Sequence, residues 1–169
     1  MTESYLDSLQ IGNRDRLFQI LTSYLSPTPP NYSQMVYLHG EGSNGKSKFI
    51  EVLEANLKKA IPRVNNIYSY KNWSSHIDPK VPIVIIHHEE PYDSKFMEQE
   101  MLIMNTLSVV QNIHLCFIVV SNHPLPKTLH TAVEEANNGL LRCEFPNRFQ
   151  NTQFDFQNAV TEISRILTS

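Results

Sequence analysis

"HGEGSNGKSKF", His39 to Phe49, holds three of the chain's five glycines and follows the short apolar run "QMVYL", Gln34 to Leu38. Within it, Gly40, Glu41, Gly42, Ser43, Asn44, Gly45, Lys46 and Ser47 fit G-x-x-x-x-G-K-[ST] without a gap. Glycines let the backbone curl until successive N–H groups face one concavity, and a helix starting there adds partial positive charge. Such a loop needs a strand before it and a helix after it. "QMVYLHG" reads as a buried strand ending in glycine, and in "KSKFIEVLEANLKKAI" the residues Phe49, Ile50, Leu53 and Leu57 recur at helical spacing. These eight residues are therefore read as a cradle for a nucleoside triphosphate such as ATP. Lys46 would reach the β- and γ-phosphates, and the Ser47 hydroxyl would ligate Mg²⁺. The plainer alternative is an ordinary Gly-Ser-Asn turn.

Working outward, Leu17, Phe18, Ile20, Leu21, Tyr24 and Leu25 predict a helix over Arg14 to Leu25 with Asn13 as its cap. The prolines of "SPTPPN", Ser26 to Asn31, end it in a stiff connector. Downstream, "NNIYSY" suits a strand, and "VPIVIIHHEEP" and "IHLCFIVVSN" are continuous apolar runs, as parallel strands covered on both faces require. Lys95 to Val110 reads as a Met-rich helix with Met97, Met101 and Met104 on a core face. "GLLRCEF" reads as the last strand and "DFQNAVTEISRIL" as a closing amphipathic helix. Alternating strands and helices predict a three-layer α/β fold with a mostly parallel central sheet and helices on both faces, and the phosphate loop makes it a P-loop NTPase. Residues 1–30 form a helical lead-in and connector, 31–150 the ATPase core and 151–169 the final helix, all within one domain.

Polar residues end both apolar runs. Glu89 and Glu90 fall at the carboxyl edge of a parallel strand, where ligands bind in open α/β sheets. One carboxylate there can hold Mg²⁺ while its neighbour orients or deprotonates a water, so Glu89 is assigned to the metal and Glu90 to the water. A solvated strand-end turn is the alternative. Asn122 ends the next buried run, and its carboxamide can contact a γ-phosphate oxygen and a water at once. An Asn-led turn before Pro124 explains the same residue without chemistry. His87 and His88 alternate faces on a strand, so they cannot share one ion, and His88 is kept only as an outer support to the site.

Together "GEGSNGKS", "IIHHEE", "VVSN" and the following "LLRCEFPNRF" resemble the superfamily 3 helicases of viruses, phages and plasmids, a branch of the AAA+ ATPases. The Asn44 form of the loop looks most like the helicase half of phage and large-DNA-virus primase-helicases. "PLPKTL" after Asn122 is similar to the origin-binding helicases of small DNA tumour viruses. The likeness runs from Leu17 to Phe149. It implies a ring, usually hexameric, that hydrolyses ATP with an arginine from the next subunit and pulls single-stranded nucleic acid through its centre, with DNA the first candidate and RNA left open. Arg142 is the first candidate for that arginine and Arg148 the second. A primase or nuclease domain elsewhere in a longer protein fits the same picture.

The family carries basic residues on a hairpin between the acids and the polar sensor, to grip nucleic acid. Here "YDSKFMEQEMLIMNTLSVVQNIH" offers Lys95 against Asp93, Glu98 and Glu100, with His114 at the apparent tip. The net charge of −3 adds no basic stripe of the kind phosphate-gripping modules show. Either another segment holds the strand, or the chain is an ATPase of this fold that no longer translocates well. Lys58, Lys59, Arg63, Lys71 and Lys80 are scattered, and cations at a helix C-terminus are explained by its dipole. Trp73 and Tyr70 could stack a base, though packing onto the core is the stronger explanation. Cys116 and Cys143 lack metal spacing and read as core thiols. No apolar run is long enough to cross a membrane, and there is no basic-plus-apolar leader, so a soluble intracellular protein is expected.

Overall fold

The computed structural model describes residues 4–40, 45–60, 65–67, 77–78, 81–88, 102–104, 106–107, 109–124, 140–146 and 154–168. Its elements are α1 (Tyr5–Leu9), α2 (Arg14–Leu25), β1 (Gln34–His39), α3 (Lys46–Ala60), β2 (Asn65–Ile67), β3 (Ile83–His88), β4 (Cys116–Ser121), β5 (Leu140–Glu144) and α4 (Phe156–Leu167). The strands form one sheet in the order β2-β3-β4-β1-β5, and every pairing is parallel.

Side chains alternate between the two faces of this sheet, as strand geometry demands. Val36, Leu38, Ile83, Ile85, Ile118, Val120 and Cys143 turn to one side, where Leu17, Leu21, Phe49, Leu53, Leu57 and Ile163 of α2, α3 and α4 cover them. Met35, Tyr37, Val84, Ile86, Phe117 and Val119 turn to the other and meet Met104, with Ile103 and Leu107 packed alongside. Residues 102–104, 106–107 and 109 are helical, within the predicted Met-rich helix; Met97 and Met101 lie outside the described residues. Covering both faces explains why β1 and β4 are buried at every position.

The lead-in is built into the core. The five residues of α1 are too few to hold a helix in water. The Glu162 carboxylate of α4 supplies the support by accepting the N–H groups of Tyr5 and Leu6 at 3.1 and 2.8 Å. Asn13 corrects the sequence reading. It stands at the cap position of α2 in the left-handed region, φ 61°, but its side chain makes no cap hydrogen bond. That conformation sends Nδ2 to the Arg142 carbonyl of β5, 2.7 Å away. Beside it the Gly12 N–H donates to the Glu144 carbonyl at 2.9 Å, so the α1–α2 turn lies along the outer edge of β5. Asn56, buried in α3, donates to the Val52 and Val160 carbonyls at 3.0 and 3.3 Å and ties α3 to α4. Cys116 and Cys143 are buried, unbridged thiols whose burial pushes each up to about 12. Among the described residues no helix is long and apolar enough to cross a membrane.

Candidate active site

Strand order alone locates a crevice. The chain leaves β1 toward β2 at one edge of the sheet, whereas it leaves β4 toward β5, beyond β1. Departures in opposite directions open a gap above the carboxyl ends of β1 and β4, where open α/β sheets bind ligands. In register, His39 of β1 lies opposite Ser121 of β4, and His88 of β3 lies opposite Ser121 on the other side. Gly40 and Asn122 therefore follow directly from the rim of this gap.

Lys46 is the first residue of α3, immediately after Gly45, whose φ of 84° is one an L side chain rarely adopts. The Phe49 N–H donates to the Gly45 carbonyl at 2.9 Å and closes the first helical turn. The amides ahead of that bond face the loop, as at any helix start. Lys46 itself is only 4% exposed. Its Nζ donates to Asn122 Oδ1 at 2.6 Å and to the Gly40 carbonyl at 3.3 Å, both neutral acceptors. Burial holds its pKa below the ordinary lysine value. A cation withdrawn from water at a helix N-terminus favours negative charge beside it. Asn122 is exposed at the rim of the crevice.

The turn carrying Asn122 is held from two sides. Ser121 Oγ accepts the His123 N–H at 3.1 Å, and the Tyr37 hydroxyl of β1 donates to the His123 carbonyl at 2.7 Å. Tyr37 is fully buried and its ring lies 5.5 Å from that of His39, tilted by 32°. Reading the sequence for apolar strands passes over Tyr37. The available signal is general: a buried tyrosine requires a partner for its hydroxyl.

Of the residues singled out in the sequence, Gly40, Gly45, Lys46 and Asn122 come together here. Ser47 is exposed in the first turn of α3. Arg142 is exposed in β5 and lies opposite Tyr37, two residues short of the level of His39. It is not gathered with Lys46 and Asn122. Glu41, Gly42, Ser43, Asn44, Glu89, Glu90, Lys95 and Arg148 lie outside the described residues, as do Arg63, Tyr70, Lys71, Trp73 and Lys80. His88 is buried at the last position of β3, and burial lowers the pKa of His87 before it. Lys58 and Lys59 are exposed in the last turn of α3, where they complement its dipole. His114 is half-buried, with Nε2 2.9 Å from Asn112 Oδ1. Among the described residues no three His, Cys, Asp or Glu side chains are grouped to hold a metal.

No known protein family matches the chain by sequence, and no curated protein does either. Its fold is similar to a solved structure described as "The A form apo structure of NrS-1 C terminal region-CTR", with a TM-score of 0.51 and 12% identity. The likeness covers 92% of this chain but 40% of that one, and at this identity it is a likeness of fold.

Proposed function

We propose that the chain is a P-loop NTPase domain of the superfamily 3 helicase type, hydrolysing ATP with Mg²⁺ and acting on nucleic acid during replication of a virus, phage or plasmid. The observation that carries the reading is the 2.6 Å bond between Lys46 Nζ and Asn122 Oδ1. It joins the last part of a phosphate-loop motif to a polar strand end 76 residues away. The fold likeness to the NrS-1 C-terminal region supports the same architecture.

In this reading the leading amides of α3 and the loop backbone bind the phosphates, and Lys46 takes the β- and γ-oxygens. Asn122, held beside Lys46, then donates from Nδ2 to a γ-oxygen while its Oδ1 accepts from the attacking water. Glu90 accepts that water's proton as the oxygen bonds to phosphorus and the terminal phosphate leaves ADP. Mg²⁺, held by Ser47 Oγ and the Glu89 carboxylate, would offset the charge that gathers on the phosphate oxygens. Arg142 lies on an edge strand away from its own chain's crevice, a placement suited to completing a neighbour's site in a ring, with Arg148 as the alternative.

Turnover of ATP by the wild type and by Glu90→Gln is the direct test. Hydrolysis should require Mg²⁺ and collapse in the variant; full turnover in Glu90→Gln removes Glu90 from its role, and no wild-type turnover removes the activity. A second reading, an assembly ATPase without unwinding, draws on the exposed apolar residues Leu102, Val109 and Val110 in a segment poor in cations. Single-stranded DNA should stimulate hydrolysis if the chain is a motor and leave it unchanged if it is not.

A further inference from the structure

We infer that Tyr37 is a positioning residue: its hydroxyl fixes the turn after β4 so that the Asn122 carboxamide stays aimed at Lys46. The inference rests on the site reading above for its catalytic consequence, though the positioning itself is a property of the folded chain.

The geometry is a strap between two central strands. Tyr37 stands in β1 opposite Val119 of β4, with its ring on the face shared by Met35, Val84 and Phe117. From there its hydroxyl passes the last two residues of β4 and donates to the His123 carbonyl at 2.7 Å. On the near side of the same residue, Ser121 Oγ takes the His123 N–H at 3.1 Å. Both ends of residue 123 are thus tied, one to β1 and one to β4. Asn122, the residue before it, is exposed, and its Oδ1 accepts from Lys46 Nζ at 2.6 Å. An exposed carboxamide otherwise samples several rotamers, and a group that must meet both a phosphate oxygen and a water tolerates little wandering. Tyr37 also belongs to the strand that leads into Gly40, whose carbonyl is the second acceptor of Lys46. The strap therefore references the sensor turn to the same strand that carries the phosphate loop.

Tyr37→Phe removes one oxygen and keeps the ring in its pocket. Ser121→Ala loosens the other end of the turn and serves as the second variant, should Tyr37→Phe fold poorly. In NMR spectra of the whole chain, the Asn122 side-chain amide, assigned by its loss in Asn122→Ala, should give one sharp pair in the wild type. It should shift or broaden in Tyr37→Phe. An unchanged Asn122 signal in a folded Tyr37→Phe overturns the inference, whether or not the chain hydrolyses ATP. With ATP, kcat should fall on the order of tenfold in Tyr37→Phe while KM stays within about twofold, because misdirection affects the step and not the binding. In the Asn122→Ala background the same change should cost nothing further. If Tyr37→Phe lowers kcat by the same factor with and without Asn122, Tyr37 acts on the fold generally and the positioning role is refuted. Absence of turnover in the wild type counts against the ATPase reading alone, since the NMR comparison still decides whether Tyr37 directs Asn122.

Discussion

Replacing Lys46 with methionine separates a phosphate-binding lysine from a lysine that merely holds the fold. Methionine keeps most of the buried stem and removes the ammonium. In the fold, the hydrogen bonds of that ammonium include those to Asn122 and Gly40, at 2.6 and 3.3 Å. Bonds to a charged group contribute about 1.5–3 kcal/mol each when well formed, and the longer one falls at or below the low end. Against them stands the loss of water around a cation that is 4% exposed, a cost of several kcal/mol per buried ion. The two effects oppose each other and are of similar size, so Lys46→Met should change stability by less than about 3 kcal/mol. The pH dependence has a definite sign. Burial lowers the lysine pKa, so between the folded and ordinary values the unfolded chain binds more protons and wild-type stability rises with pH. Methionine has no such rise, and any advantage it holds at neutral pH should shrink under alkaline conditions.

Nucleotide binding should respond quite differently. At a nucleotide concentration 100 times Kd, the wild type gains about 2.7 kcal/mol. For a chain of this length that raises Tm by roughly 5–11 °C. Loss of one charged contact to phosphate weakens binding by up to about 100-fold. At the same nucleotide concentration, the variant's gain then drops to about 0.4 kcal/mol, or on the order of 1 °C. Urea unfolding and thermal melts with and without Mg·ATP measure both quantities. The reasoning fails if Lys46→Met costs about 3 kcal/mol or more while the nucleotide-induced shift survives, for Lys46 would then be a structural residue.

Two further outcomes concern the fold. Cys116 and Cys143 should resist a maleimide in the native chain at pH 8 and both react in denaturant, since burial pushes each thiol up to about 12; rapid native labelling would contradict their burial. The same shift makes stability fall as pH climbs above the ordinary thiol value of 9.0, where the unfolded chain loses those protons first. Asn56→Ala removes the bridge from α3 to the Val160 carbonyl and should destabilise the chain by roughly 1–3 kcal/mol in urea unfolding; a change near zero would mean that α3 and α4 hold together by apolar packing alone.

Strand and helix alternation was legible because β1, β3 and β4 are covered on both faces and so read as unbroken apolar runs. Asn122 at the carboxyl end of a buried strand followed from the same logic, whereas its bond to Lys46 depends on β1 and β4 being neighbours, which strand order alone reveals. α1 was not legible. Its five residues carry too little periodicity, and its support is a carboxylate at Glu162, whose bond to Tyr5 spans 157 residues. Asn13 looked like a cap because asparagine favours that position, and no local rule reveals that its side chain instead meets β5. Tyr37 was hidden among apolar neighbours because only the tip of its ring does something they cannot.

The turn along β5 also limits how copies of this chain can associate. Strands recruit one another through unsatisfied carbonyl and amide groups along an open edge. On β5 the carbonyls of Arg142 and Glu144 are already occupied, by Asn13 Nδ2 and the Gly12 N–H. A neighbouring molecule approaching there finds no ladder to extend at these positions and can engage only side chains. The sheet edge is closed to continuous, fibre-like growth at that point, while the Arg142 side chain stays outside on a backbone that cannot easily yield.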